Sequence, residues 1–193
     1  MPNVFIFHGA YGTPEENWLP WIREELEKIG CKVFVPVFPT PKDQTLDKWL
    51  GVFEKFKGYV DQDTIFIGHS LGATFILSLL EKVGVRIRAS FLVAGFASEV
   101  ADPKGMFNEI NRTFYDRKFD WKRIRGNCVD MYLINSDNDP YITLDTAERM
   151  SRPLGVRLTV VEGAGHFGTG NGYSRFPLLL EIVEDVLTTR DGA

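Results

Sequence analysis

Thr64-Ile65-Phe66-Ile67-Gly68-His69-Ser70-Leu71-Gly72 carries an apolar run into a serine set between two glycines. Its first four residues are all β-branched or aromatic, the pattern of a strand covered on both faces. From Leu71 to Val83 the chain has apolar residues on every side (Phe75, Ile76, Leu77, Leu79, Leu80) and meets Gly84. A helix without a polar face is a buried one. Strand, sharp turn, buried helix is the setting in which G-x-S-x-G presents a nucleophile. The reason is steric: so tight a turn strains the serine backbone, and side chains on its flanks would strike strand and helix. The Ser70 hydroxyl then stands at a helix N-terminus, where free N–H groups and the dipole favour an oxyanion.

Working outward, further strand-like runs lie at Val4–Phe7, Lys32–Val37, Ala89–Ala94, Val129–Asn135 and Arg157–Val161, with Thr64–Ile67 among them. Helical spacing lies between them. Trp18, Ile22, Leu26 and Ile29 share a face that stops at Gly30; Leu46, Leu50, Phe53 and Val60 share another, with Thr45 as N-cap. Phe176, Leu180, Val183 and Leu187 form the last stripe. Such alternation predicts a parallel, doubly wound α/β sheet. Neither repeat nor linker divides the chain, so one domain is expected over 1–193. Gly95–Gly126 is longer than an ordinary connection and reads as an insertion near the site, too short for a full lid domain.

Composition narrows the classes. The 193 residues include 22 Lys+Arg and 26 Asp+Glu, a net charge of −4, and 44% are apolar. That disfavours disorder and a dedicated nucleic-acid binder. No apolar run is long enough for a membrane span, and the first residues read as a strand rather than a leader, so a cytoplasmic setting is expected. Cys31 and Cys128 lack metal spacing and read as small buried hydrophobes. With three histidines in all, a multi-His metal site is not expected, and neither metal nor organic cofactor is required.

A serine nucleophile needs a base. His69 lies inside the turn and should point away from the attacking face. His8 ends the first strand, where His8-Gly9-Ala10-Tyr11-Gly12 can form a wall of an oxyanion hole. His166, after the last strand, remains as the base. In a parallel sheet the strand ends share one edge, so His166 is also well placed. The orienting acid should follow the preceding strand, where Asp137 and Asp139 compete. Asp139 is favoured because Pro140 fixes its turn and Ile142 can anchor it, whereas Asp137 is suited to capping the turn.

These residues resemble the α/β-hydrolase superfamily, and within it the small serine hydrolases related to retinoblastoma-binding protein nine and the YdeN-type proteins. The early His8-Gly9, the segment Trp18-Leu19-Pro20-Trp21-Ile22-Arg23, the elbow at 67–72, Trp121-Lys122-Arg123-Ile124, Asp139-Pro140 and Gly165-His166-Phe167 carry the likeness. It implies a compact three-layer fold with a six-stranded, mostly parallel sheet in the order 2-1-3-4-5-6 and helices on both faces. It also implies a Ser70-His166-Asp139 triad, with the Leu71 and Ala10 N–H groups as oxyanion donors. The expected activity is hydrolysis of a small-molecule carboxylic ester or related acyl substrate through an acyl-enzyme. Tyr11, Phe114, Tyr115, Trp121 and Phe167 are expected to line the pocket.

Two other signals stand out in the sequence. Gly163-Ala164-Gly165-His166-Phe167-Gly168 fits a dinucleotide fingerprint but lies near the C-terminus with no helix opening inside it, so its glycines serve the loop. Between Arg112 and Arg125 six basic and two acidic residues give a local charge of +4, interleaved with Phe114, Tyr115, Phe119 and Trp121. That segment reads as a solvated helix with a packed aromatic face, or as a dock for an acidic protein partner. A protein-interaction module on a hydrolase scaffold is therefore the alternative function, and a peptidase or thioesterase would share the same triad.

Overall fold

Each of the six apolar runs forms a strand. They are β1 (Asn3–Phe7), β2 (Lys32–Phe34), β3 (Ile65–His69), β4 (Ile87–Val93), β5 (Cys128–Ser136) and β6 (Leu158–Val161). The sheet order is β2-β1-β3-β4-β5-β6, and every pair is parallel. Parallel neighbours need crossovers, here provided by α1 (Leu19–Lys28), α2 (Leu46–Phe53), α3 (Leu71–Lys82), α4 (Met106–Tyr115), α5 (Trp121–Gly126) and α6 (Leu144–Leu154), while α7 (Pro177–Thr188) follows the last strand. This computed structural model describes residues 1–102 and 104–189. Residue 103 of the insertion and 190–193, at the end of the span expected as one domain, lie outside the described residues. No helix among the described residues is long and apolar enough to cross a membrane.

Period-two alternation sorts the strand side chains between two layers. Phe5, Phe7 and Phe66 point to one face, where their rings meet one another, Phe53 and, from α3, Phe75. His69 points to the other face, against Trp18, which in turn meets Phe176 ahead of α7. The helix α3 is buried at every position from Leu71 to Leu80, as its lack of a polar face requires. Thr45 caps α2 by accepting the Lys48 N–H at 3.4 Å.

Several expectations shift by a residue or more. β2 stops at Phe34 rather than Val37, because Pro36 has no N–H for the ladder; Val37 is exposed. Ile29 lies past the end of α1 and is half exposed. The inner stripe of α7 is Phe176, Leu179, Val183 and Val186, not Leu180 and Leu187. Both stripes satisfy a 3.6-residue period, and packing against α1 selects between them. Half of the 95–126 insertion is helical, as α4 and α5. Its charges are partly committed: Arg117 and the Asp120 N–H both bind Glu81, and Arg112 pairs with Asp116 at 3.1 Å.

Since all strands run one way, their C-terminal ends open on a single edge. The segments after β1, β3, β4, β5 and β6 leave from that edge. Residues far apart in sequence meet there.

Candidate active site

Ser70 lies between β3 and α3 with φ 54° and ψ −118°, a backbone conformation that a non-glycine residue adopts only under constraint. The constraint is visible on both sides. Its N–H donates to the Val93 carbonyl at 2.8 Å, and its carbonyl accepts the Ala73 N–H at 3.0 Å. A Cβ on Gly68 would come within 2.5 Å of the Ala73 nitrogen, and one on Gly72 would fall on the Phe7 carbonyl oxygen. The two glycines of the motif are therefore there for space. Gly9 is tight to a lesser degree, since a Cβ there would meet the Ser70 Cβ at 3.1 Å.

The three histidines divide by their hydrogen bonds. His8 Nε2 accepts the Phe38 N–H at 3.1 Å, which fixes the proton on Nδ1, where it is donated to the Gly9 carbonyl at 2.8 Å. Burial lowers its pKa. His69 is buried and donates from Nε2 to the His166 carbonyl at 2.9 Å. Burial foremost, then the nearby His166, depresses its pKa to about 3. Both rings are structural and neutral at physiological pH.

This has a measurable consequence. His69 takes up a proton near pH 6.5 when unfolded but only near 3 when folded. Its contribution is complete above pH 6.5 and lost as pH falls towards 3, at up to about 1.4 kcal/mol per pH unit. His8 acts in the same direction. Thermal melts should therefore show stability falling below pH 6.5, with a shallower slope between 6.5 and 5 in His69→Gln. Equal slopes in both proteins would refute the buried neutral assignment.

His166 is held differently. Its Nδ1 lies 2.7 Å from Asp139 Oδ2, and the Asp139 carboxylate is fully buried. Asp139 Oδ1 accepts the N–H groups of Tyr141 and Ile142 at 2.9 and 3.0 Å. Three donors thus compensate the burial of one carboxylate. With the proton on Nδ1, Nε2 is left as a free acceptor. Of the competing aspartates, Asp137 does not reach the ring; its Oδ1 accepts the Gly163 N–H at 2.8 Å. It belongs to a clamp in which Ser136 Oγ takes the Ala164 N–H and Asn138 Oδ1 the Gly165 N–H, at 3.0 and 2.7 Å. Three consecutive side chains of the Asp139 segment hold three consecutive amides of the His166 segment.

Ser70 and His166 both line a cavity of about 470 Å³, together with Ala10, Tyr11, Glu16, Phe96, Val100, Met106, Phe107, Asn111, Tyr141 and Ile142. Its size and mostly apolar walls suit a small organic ligand. Beside Ser70, the N–H groups of Leu71 and Ala10 have no acceptor among the described residues, whereas those of Tyr11 and Gly12 are taken by Thr40 and Gly9. Two unengaged donors near a serine can stabilise a developing oxyanion. Among the described residues no group of three or more His, Cys, Asp or Glu could hold a metal.

Of the expected pocket residues only Tyr11 lines the cavity. Phe114 is fully buried against Trp49, Tyr115 is buried with its hydroxyl on the Asn108 carbonyl, Trp121 packs on Phe119, and Phe167 stacks on Phe176. The inward stripe of α4 begins in the cavity with Phe107 and Asn111 and enters the core by Phe114. The expectation was one to two turns too far along the chain. Sequence reasoning misses Glu16, Phe96, Val100, Met106, Phe107, Asn111 and Tyr141. Asn111 alone left a trace, as an amide on an otherwise apolar stripe.

The serine hydrolase family model matches residues 4–185. The chain is 27% identical over 188 residues to YdeN of Bacillus subtilis (strain 168), covering 96% of this chain and 94% of YdeN. It is 26% identical over 182 residues to serine hydrolase RBBP9 of Rattus norvegicus, covering 94% and 92%. The crystal structure of the B. subtilis ydeN gene product superposes with a TM-score of 0.90 at 22% identity, over 98% of this chain and 100% of that one.

Proposed function

The chain belongs to the serine hydrolase family, and from that premise we propose that it hydrolyses small carboxylic esters through Ser70, His166 and Asp139. The observation that carries the reading is the hydrogen bond between His166 Nδ1 and buried Asp139, made on the wall of the cavity that also receives Ser70. His166 Nε2 takes the Ser70 proton as Oγ attacks the acyl carbon, and Asp139 stabilises the imidazolium that results. The Leu71 and Ala10 N–H groups bind the tetrahedral oxyanion. His166 then returns the proton to the leaving alcohol, and water, activated by the same ring, releases the acid. Cys31 and Cys128, both buried and unpaired, suit the reducing cytoplasm.

The cavity also sets a limit on the acyl chain. Its walls are side chains from α4 and the loops, and the described residues form no apolar lid domain over it. Esters with acyl groups of about two to four carbons should be preferred, and kcat/KM should fall beyond that length as methylenes lose contact. Hydrolysis of graded p-nitrophenyl esters, beside thioester and aminoacyl substrates, tests the reading. A preference for twelve carbons or more with activation at a lipid interface, or turnover of the aminoacyl or thioester substrates alone, would overturn it.

A further inference from the structure

We propose that Asn111 is a specificity-determining hydrogen-bond donor, selecting acyl substrates whose cavity-bound portion carries a neutral oxygen acceptor. The inference rests on the hydrolase reading above and names the substrate class for that same site.

Asn111 is 3% exposed and Gln44 4%, so both amides are withdrawn from bulk water. Burying an amide costs free energy unless its hydrogen bonds are met. Their connections run in a fixed order. The Tyr11 N–H can only donate, and Thr40 Oγ1 accepts it at 2.7 Å. The Thr40 hydroxyl donates to Gln44 Oε1, leaving Gln44 Nε2 to donate to Asn111 Oδ1 at 2.6 Å. The Asn111 oxygen is thereby engaged and its NH2 is left over. No acceptor among the described residues takes it, while Asn111 lines the cavity that holds Ser70 and His166. Turning both amides over would strand the proton of the partly buried Thr40 hydroxyl, so the order given satisfies more groups.

The surroundings define the partner. Phe96, Val100, Met106, Phe107 and Ile142 give the cavity apolar walls, in which a hydrogen bond is strengthened and an unmet donor is costly. An all-carbon substrate would cover this NH2 and leave it unpaired. A carbonyl, ether or hydroxyl oxygen would satisfy it. A carboxylate is disfavoured, because Glu16 lines the same cavity and no cation among the described residues pairs with it. The chain from Tyr11 to Asn111 also joins the loop bearing the Ala10 N–H to the specificity residue, so one network positions both.

The test uses Ser70 labelling by alkyl phosphonofluoridates, which needs the nucleophile but not a full turnover. A probe with a four-atom alkyl chain is compared with isosteres in which one methylene is an ether oxygen, moved along the chain. The ratio of oxa to alkyl labelling rates is measured in wild type, Asn111→Leu and Asn111→Asp, which cancels the probes' intrinsic reactivity between proteins. At one oxygen position the wild-type ratio should exceed that of Asn111→Leu by about 5- to 30-fold. Asn111→Asp keeps the shape and exchanges donor for acceptor, so its ratio should fall at least as far. In wild type alone, rates normalised to each probe's hydroxide reactivity should peak at that position, a readout that needs no variant to fold. A flat wild-type scan, or a ratio unchanged in a folded variant, overturns the role of Asn111 while leaving the serine hydrolase chemistry intact. Failure of every probe to label wild-type Ser70 would overturn both.

Discussion

Ser70→Ala is expected to reduce ester turnover by about 10⁶-fold and to abolish fluorophosphonate labelling, with the melting temperature within a few degrees of wild type. The strained turn at φ 54° is imposed by its neighbours, and alanine removes only the oxygen. The residual rate would come from the Leu71 and Ala10 donors and from binding in the cavity. His166→Ala should cost about as much, because nucleophile and base act as a unit. Paired kinetics and probe labelling on both variants decide the matter. A folded Ser70→Ala protein that turns over esters near the wild-type rate would remove Ser70 from the chemistry.

Asp139→Asn should lower kcat by about 10⁴-fold, and Asp137→Asn by tenfold or less. The contrast follows from who donates to each carboxylate. Asp139 Oδ1 faces two backbone N–H groups, from Tyr141 and Ile142, which can only donate. An asparagine there must turn its oxygen towards them and its NH2 towards His166 Nδ1. The ring then accepts at Nδ1 and carries its proton on Nε2, so it cannot take the proton of Ser70. Size is unchanged, tautomer is reversed, and the imidazolium loses its counter-charge. Among the described residues the Asp137 carboxylate meets only the Gly163 N–H, which the oxygen of asparagine accepts as well. Equal losses in the two variants, or the larger one at Asp137, would contradict this assignment.

The legible part of the site is its chain-local part. Gly68 and Gly72 were readable because the elbow needs room at fixed offsets from Ser70, and the structure shows which atoms would collide. His166 is singled out in the sequence by elimination among three histidines; in the structure His8 and His69 are each hydrogen-bonded to backbone groups, and His166 to Asp139. Asp139 and Asp137 could be ranked from Pro140 and Ile142 but not separated, since both follow β5 by a few residues. Their roles differ through partners 26 to 27 positions away, at Gly163 and His166.

The cavity walls were the illegible part. Phe114, Tyr115 and Trp121 carry aromatic signals as strong as that of Phe107, yet they lie in the core or away from the cavity. Which turn of a helix meets a cavity depends on where the helix begins over the sheet edge, and no short-range pattern encodes that. Asn111 illustrates the same point: its amide becomes a free donor only because Gln44, on a segment 67 positions away, takes its oxygen. Strand order, the buried α3 and the nucleophile turn were thus set by periodicity, by family likeness and by the steric demands of neighbouring residues. Pairing of Asp139 with His166, the fate of each histidine and the chemistry of the pocket were decided by tertiary structure, because each depends on a donor or acceptor delivered from a distant segment.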